Sequence, residues 1–199
     1  MTPQQISQMQ AARFRKLAWP MLPVVLRTAQ CLVGHHGHTE DLAQETMIKA
    51  MRAIDSFKDG TNLKAWLLTI LRRTHIDQIR STRNRPLQLS LDVNGIDLPA
   101  SAASVTEEPI TSWDDPEQLM SRFDDQVIIG AMGLLSEEIR WTLLLVDVEQ
   151  MEQAQAAQIL GVAVGTIKSR THRGRALLRE LLHDVAAKRG WLGAKEKTS

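Results

Sequence analysis

Residues 152–182 constrain the fold of this chain more than any other stretch. A short apolar helix, EQAQAAQIL, is followed by a Gly-Val turn and then by the basic segment VGTIKSRTHRGRALLRELL. On a helical period Thr166, Ser169, Arg170 and Arg173 share one face, and Ile167, Thr171, Gly174 and Leu178 share another. One face can pack while the other meets a polyanion. Gly161 stands where the turn needs a residue tolerant of positive φ, and Ala157 is small enough for helices to approach closely. Between residues 165 and 180, Lys168, Arg170, Arg173, Arg175 and Arg179 stand against Glu180 alone. A plain solvated face on an amphipathic hairpin would also be basic. The coincidence of small residue, turn glycine and cationic second helix favours a helix-turn-helix that binds DNA. Phosphates reward the charge density, whereas short hydroxyls and forked arginines can read base edges.

The rest of the chain is also helical in pattern. It has no tyrosine, few aromatics and little strict alternation, so the fold class is all-α, with 199 residues enough for two small helical domains. Periodicity predicts helices over 7–33, 39–55, 62–84, 116–133, 136–148, 152–160 and 164–186, the first interrupted or kinked by Pro20 and Pro23. Asp115, Pro116 and Gln118 supply a cap, a first helical residue and a capping box for the fourth. Between Pro86 and Asp115, prolines, Gly95 and SAASVTEE break every helical period. That segment reads as an extended linker. Nine acids between residues 92 and 125 face Arg122 alone, so the near-neutral net charge of +1 hides opposite blocks. The expected boundaries are a domain over 1–86, an acidic linker over 87–115, a domain over 116–187 and a tail over 188–199. The linker is either a solubilising tether or a strand that threads a basic channel of a partner.

In the N-terminal half, TEDLAQETMIKAMRAI places Ala43, Met47, Ala50, Met51 and Ile54 on a core stripe and Glu40, Asp41, Gln44 and Glu45 on an acidic side. Helix-start acids are commonly dipole partners, which suits Glu40 and Asp41 better than Glu45. Downstream, LKAWLLTILRRTHIDQIRSTRNR aligns Arg73, Arg80 and Arg83 and adds Arg72 and Arg85, with Asp77 spaced to pair with Arg73 or Arg80. Two cationic helices separated by a linker suit a protein that grips one duplex at two places. Cys31 is the only cysteine, which excludes an intramolecular disulfide and suits a reducing compartment. Its spacing to His35, His36 and His38 lacks a second cysteine pair, so no metal is expected. No nucleophile elbow, phosphate loop or paired-carboxylate pattern occurs, and neither catalytic residues nor cofactors are expected. With no long apolar run or signal-like start, the sequence predicts a cytoplasmic protein without membrane insertion.

The segments HTEDLAQETMIKAMRAI, FKDGTNLKAWLLTILRRTHIDQIR and LLSEEIRWTLLLVDVEQMEQAQAAQILGVAVGTIKSRTHRGRALLR resemble, in order, the two domains of extracytoplasmic-function (ECF) sigma factors of the sigma-70 family. That resemblance implies a promoter-specificity subunit of bacterial RNA polymerase. Its N-terminal region 2 would open the −10 element, its C-terminal region 4 would read the −35 element, and its linker would pass toward the RNA exit path. It further implies that Asp41, Leu42, Gln44 and Glu45 hold the clamp helices of the largest polymerase subunit. Trp66, Arg72, Arg73, Asp77 and Arg80 would contact and melt the −10 region, where aromatics stack on bases, although Trp66 also suits a core. Thr166, Lys168, Ser169, Arg170 and Arg173 would read −35 DNA. An anti-sigma factor would be a further partner, clamping the two domains away from polymerase.

Some positions depart from the family pattern. Arg73 stands where many relatives have asparagine, Thr171 replaces an apolar residue, the linker is long, and the tail from Lys188 matches nothing. Two rival classes remain open on the residues alone. A stand-alone regulator would not need the DLAQE face, and a DNA-acting enzyme would need a nucleophile or metal cluster.

Overall fold

The computed structural model describes residues 3–33, 39–83 and 125–188, and among these every regular element is helical. The chain parts into two compact units, Met1–Val93 and Asn94–Ser199. The expected linker over 87–115, the Asp115 cap with Pro116 and Gln118, His35, His36 and His38, and the tail beyond Lys188 lie outside the described residues.

In the first unit, α1 spans Pro3–Leu17, a 3-10 turn spans Trp19–Met21, and α2 spans Leu22–Val33. The interruption expected at Pro20 and Pro23 therefore divides this stretch into two helices. Pro20 sits at the start of the 3-10 turn and Pro23 in the first turn of α2, positions where the missing N–H costs no helical bond. Next come α3, Thr39–Ala53, a 3-10 turn over Ile54–Ser56, and α4, Leu63–Arg83. Asn62 caps α4 by accepting the Ala65 amide at 3.0 Å. α3 packs between α2 and α4. Val25, Ala29 and Leu32 of α2, Leu42, Ala43, Met47 and Ala50 of α3, and Leu67, Leu68 and Leu71 of α4 form the core. Two threonines enter that core by donating to carbonyls one turn back, Thr28 to Val24 and Thr46 to Leu42.

Met51, assigned by period to the core stripe, is 40% exposed. Ala43, Met47, Ala50 and Ile54 of that stripe are buried as read, and the buried side widens through Leu42 and Thr46 rather than Met51. Met51 and Ile48 line an apolar groove of about 400 Å³ with Phe14, Trp19, Leu22, Leu26 and Met47.

The second unit contains α5, Asp125–Leu134, and α6, Glu137–Leu143, which continues as a π-helical segment over Leu144–Val148. Arg140 closes the end of α5, donating to the carbonyls of Gly133 at 2.6 Å and Leu135 at 2.9 Å. The π segment ends on a left-handed Gln150, φ 51°, with the Met151 amide bonded back to Leu145 O at 2.9 Å. α7 spans Gln153–Leu160 and α8 Val164–Lys188. Gly161 terminates α7 with φ 67°, and the Val162 amide returns to Ala157 O at 3.1 Å. The predicted turn glycine therefore adopts the left-handed conformation that motivated its assignment. Ala157 is buried, and α8 makes a close helix contact of its own. A Cβ at Gly174 of α8 would lie 2.6 Å from Ile139 Cγ2 and 3.0 Å from Leu143 Cδ1, so α8 lies against α6 at a distance only glycine permits.

Candidate nucleic-acid interface

Packing decides what α8 presents. Ile167, Thr171, Gly174, Leu178 and Leu182 are buried along one side. The opposite side carries Gly165, Ser169, His172 and Arg173, all exposed, with Lys168 and Arg175 on one flank and Thr166 and Arg170 on the other. The two flanks are tied down. Arg170, its side chain 21% exposed, forms an ion pair with Glu138 of α6. Arg175 donates to Asp147 of the π segment at 2.6 and 3.2 Å, and that hydrogen bond raises the Arg175 pKa against the opposing effect of burial. Ser169 donates to Thr166 O at 3.0 Å, which leaves its oxygen lone pairs available as acceptors. Small Gly165 and Ala176 border Ser169, His172 and Arg173, so a groove edge can approach the helix closely there.

His172 is the residue that sequence reasoning passed over. It is not singled out by the charge pattern, but its place between Ser169 and Arg173 is legible from the helical period. Arg170, grouped with the DNA-reading residues, spends its guanidinium on Glu138. Thr166 is half-buried at the first turn of α8, and Lys168 is exposed.

In the first unit Arg73, Asp77 and Arg80 are exposed along one line of α4, and Arg72 is half-buried. Asp77 was expected to pair with Arg73 or Arg80. Its carboxylate instead lies 3.5 Å from the Lys49 ammonium of α3, because α3 packs beside α4 and delivers a cation to it. Trp66 is half-buried and tilts against Phe57 with ring centroids 5.4 Å apart, so it belongs partly to the core and partly to the surface.

On α3, Glu40, Asp41 and Gln44 are exposed as read. Leu42 is not available to a partner. It is fully buried, since it falls with Ala43 on the core side of the helix although Asp41 and Gln44 do not. Glu45 is half-buried, 3.0 Å from Lys49, and accepts from Gln78 of α4 at 3.0 Å. Those two bonds, Lys49 first, hold the Glu45 carboxyl below its ordinary pKa despite partial burial. They also account for the one acid in the segment that a helix dipole left unexplained. Among the described residues no group of three His, Cys, Asp or Glu is placed to hold a metal, and no helix is long and apolar enough to cross a membrane. Cys31 is buried.

Residues 20–85 match the family description Sigma-70 region 2, and residues 125–178 match Sigma-70, region 4. The chain is 33% identical over 162 residues to ECF RNA polymerase sigma factor EcfG of Rhodopseudomonas palustris, covering 81% of each protein. It is 32% identical over 181 residues to ECF RNA polymerase sigma factor SigL of Mycobacterium tuberculosis, covering 90% of this chain and 94% of the relative. Among solved structures it resembles the sigma factor RpoE of Bartonella quintana, crystallised in complex with the anti-sigma factor NepR. The TM-score is 0.65 and the identity 36%, over 85% of this chain and 96% of that one. A helix-turn-helix unit with a cationic outward face, a second helical unit with an arginine line, and these matches over both units lead to one conclusion: the chain belongs to the ECF sigma factors, the subunits that direct core RNA polymerase to promoters for transcription initiation.

Proposed function

We propose that promoter reading is divided between two surfaces. Ser169, His172 and Arg173 of α8 read base edges of the −35 element, with Thr166 and Lys168 holding phosphates and Arg170 and Arg175 fixing the helix. Arg73 and Arg80 of α4, with Arg72 and Trp66, hold the −10 strand, and Asp77 stands among them. The observation that carries this reading is the exposure of Ser169, His172 and Arg173 directly opposite the buried row of Ile167, Thr171 and Leu178. Asp41, Gln44 and Glu45 form the face that meets the clamp helices of the largest polymerase subunit, while Leu42 supports it from inside the core. The chain itself performs no chemical step and acts in the cytoplasm. The domains are residues 1–86 and 116–187, joined by the acidic linker over 87–115.

Control by an anti-sigma factor is part of this reading. It rests on the likeness to RpoE, which was solved with the anti-sigma factor NepR, and on a linker that would let two domains either spread on promoter DNA or close around an inhibitor.

Charge reversal tests the polymerase face. The double variant Asp41→Lys, Glu45→Lys should weaken holoenzyme assembly while circular dichroism stays unchanged, because exposed ion pairs contribute only about 0–1 kcal/mol to folding. Unchanged affinity for core polymerase would remove this face from the proposal. Pull-down from resting cells should recover a complex of the chain with a small partner and no polymerase; recovery of polymerase alone in resting and stressed cells would remove the inhibitor.

A further inference from the structure

Asp77 is an acid in the middle of an arginine line. Arg73, Asp77 and Arg80 occupy one exposed edge of α4, where a carboxylate works against any polyanion the arginines attract. Its nearest recorded cation comes from α3: the Lys49 ammonium, 3.5 Å from Asp77 Oδ2 and 3.0 Å from Glu45 Oε1. Gln78, next to Asp77 in the chain, donates to the other Glu45 oxygen at 3.0 Å and keeps Glu45 leaning toward α4. One cation therefore serves two carboxylates on two helices.

We infer that Lys49 is a positioning residue shared between Glu45 and Asp77, and that a polymerase cation engaging Glu45 concentrates Lys49 on Asp77 and masks that acid from DNA phosphates. The inference rests on the reading above, in which α3 faces polymerase and α4 faces the −10 strand. With Glu45 unengaged, Lys49 is divided and Asp77 retains part of its repulsion toward phosphate. Once Glu45 is occupied by an outside cation, the Lys49–Asp77 pair is closer to neutral and the arginine line acts alone. Polymerase binding and −10 binding then reinforce each other through one ammonium group. The side chains are 36% exposed at Lys49, 44% at Glu45 and 62% at Asp77, so water and salt screen the pair and the effect is modest.

The test uses holoenzyme assembled from the full chain with saturating core polymerase and a fluorescent fork-junction DNA whose −10 strand is single. Lys49→Met, Asp77→Asn, the double variant and Arg73→Ala are compared by anisotropy. Asp77→Asn should raise affinity about 3-fold more in the Lys49→Met background than in the wild type, since the acid is unmasked there. Equal gains in both backgrounds overturn the inference. Arg73→Ala separates the two levels of the argument: if it leaves affinity unchanged, α4 does not face DNA and the parent reading falls too. A weakened Arg73→Ala together with equal Asp77→Asn gains removes the shared lysine only. In free full-length chain at low salt, Glu45→Gln should raise affinity for the same DNA about 2-fold, and should not do so once Lys49 is Met. A gain of the same size in both backgrounds also overturns the competition between Glu45 and Asp77.

Discussion

The helices α4 and α8 both carry arginines outward over an apolar base, but they anchor those charges differently. In α8 the flanking arginines are clamped by acids of α6 and its π extension, Arg170 by Glu138 and Arg175 by Asp147, and the middle of the face is left to Ser169, His172 and Arg173. In α4 the outward line alternates cation, anion and cation, and the tie runs from its central Asp77 to Lys49. A helix held at both flanks suits a duplex groove whose shape is fixed before binding. A helix with adjustable charge suits a strand that becomes single only as the promoter opens.

The largest expected effect separates the centre of α8 from its clamps. Arg173→Ala should cost about 1–3 kcal/mol in binding −35 duplex, with the unfolding temperature unchanged. Arg170→Ala should leave more of that binding intact and lower stability slightly. A larger binding loss at Arg170 than at Arg173 would break the division between reading and clamping residues.

Gly174→Ala sharpens the same contrast through packing. The new methyl would meet Ile139 and Leu143 at 2.6 to 3.0 Å, so despite a better helix propensity the variant should lose about 1–2 kcal/mol in denaturant unfolding. A stabilised variant would mean that α6 and α8 can part freely and that the glycine is not required.

The two helices share one defect, a buried threonine hydroxyl without a hydrogen-bond partner: Thr74 in α4 and Thr171 in α8. Thr28, Thr46, Thr69 and Thr142 avoid this by donating to the carbonyl four residues back. Thr74→Val and Thr171→Val should each stabilise by about 1 kcal/mol, read as a rise in unfolding midpoint. Loss of stability in either variant would show that its hydroxyl is satisfied in solution. Smallest is Gln150→Gly, which relieves a left-handed residue at the end of the π segment and should gain about 0.5 kcal/mol. Thermal unfolding with no gain would indicate that the glutamine side chain compensates for its backbone.

Much of this architecture is legible in the sequence because its helices are strongly periodic and punctuated. α3 begins at the predicted residue and α4 one residue later than predicted, and Gly161 marks the turn between α7 and α8 through its own backbone conformation. The packing row of α8 is read correctly because four buried positions repeat at helical spacing. The errors have a common source in partners that a one-dimensional pattern does not contain. Leu42, which the resemblance names with Asp41, Gln44 and Glu45 as polymerase-binding, is fully buried in the core of its unit. Asp77 was paired along its own helix, while the cation arrives from the next one. Arg170 and Arg173 look alike in sequence, and only Glu138, thirty-two residues before Arg170, distinguishes them.

The π-helical segment over Leu144–Val148 gives the helix-turn-helix unit a phase as well as a shape. A wide turn takes one residue more than an α-turn, and the Glu149 amide bonds to Leu144 O at 2.9 Å across it. Removing a single residue there would restore α-helical winding and rotate everything beyond it by about 100°. Asp147 would swing away from Arg175, and buried Glu149 would be carried out of its place. The segment is thus intolerant of a one-residue deletion, whereas substitutions that keep its length can be absorbed. In a lineage of such chains, the spacing between Trp141 and Gly161 should drift less than the residues that fill it.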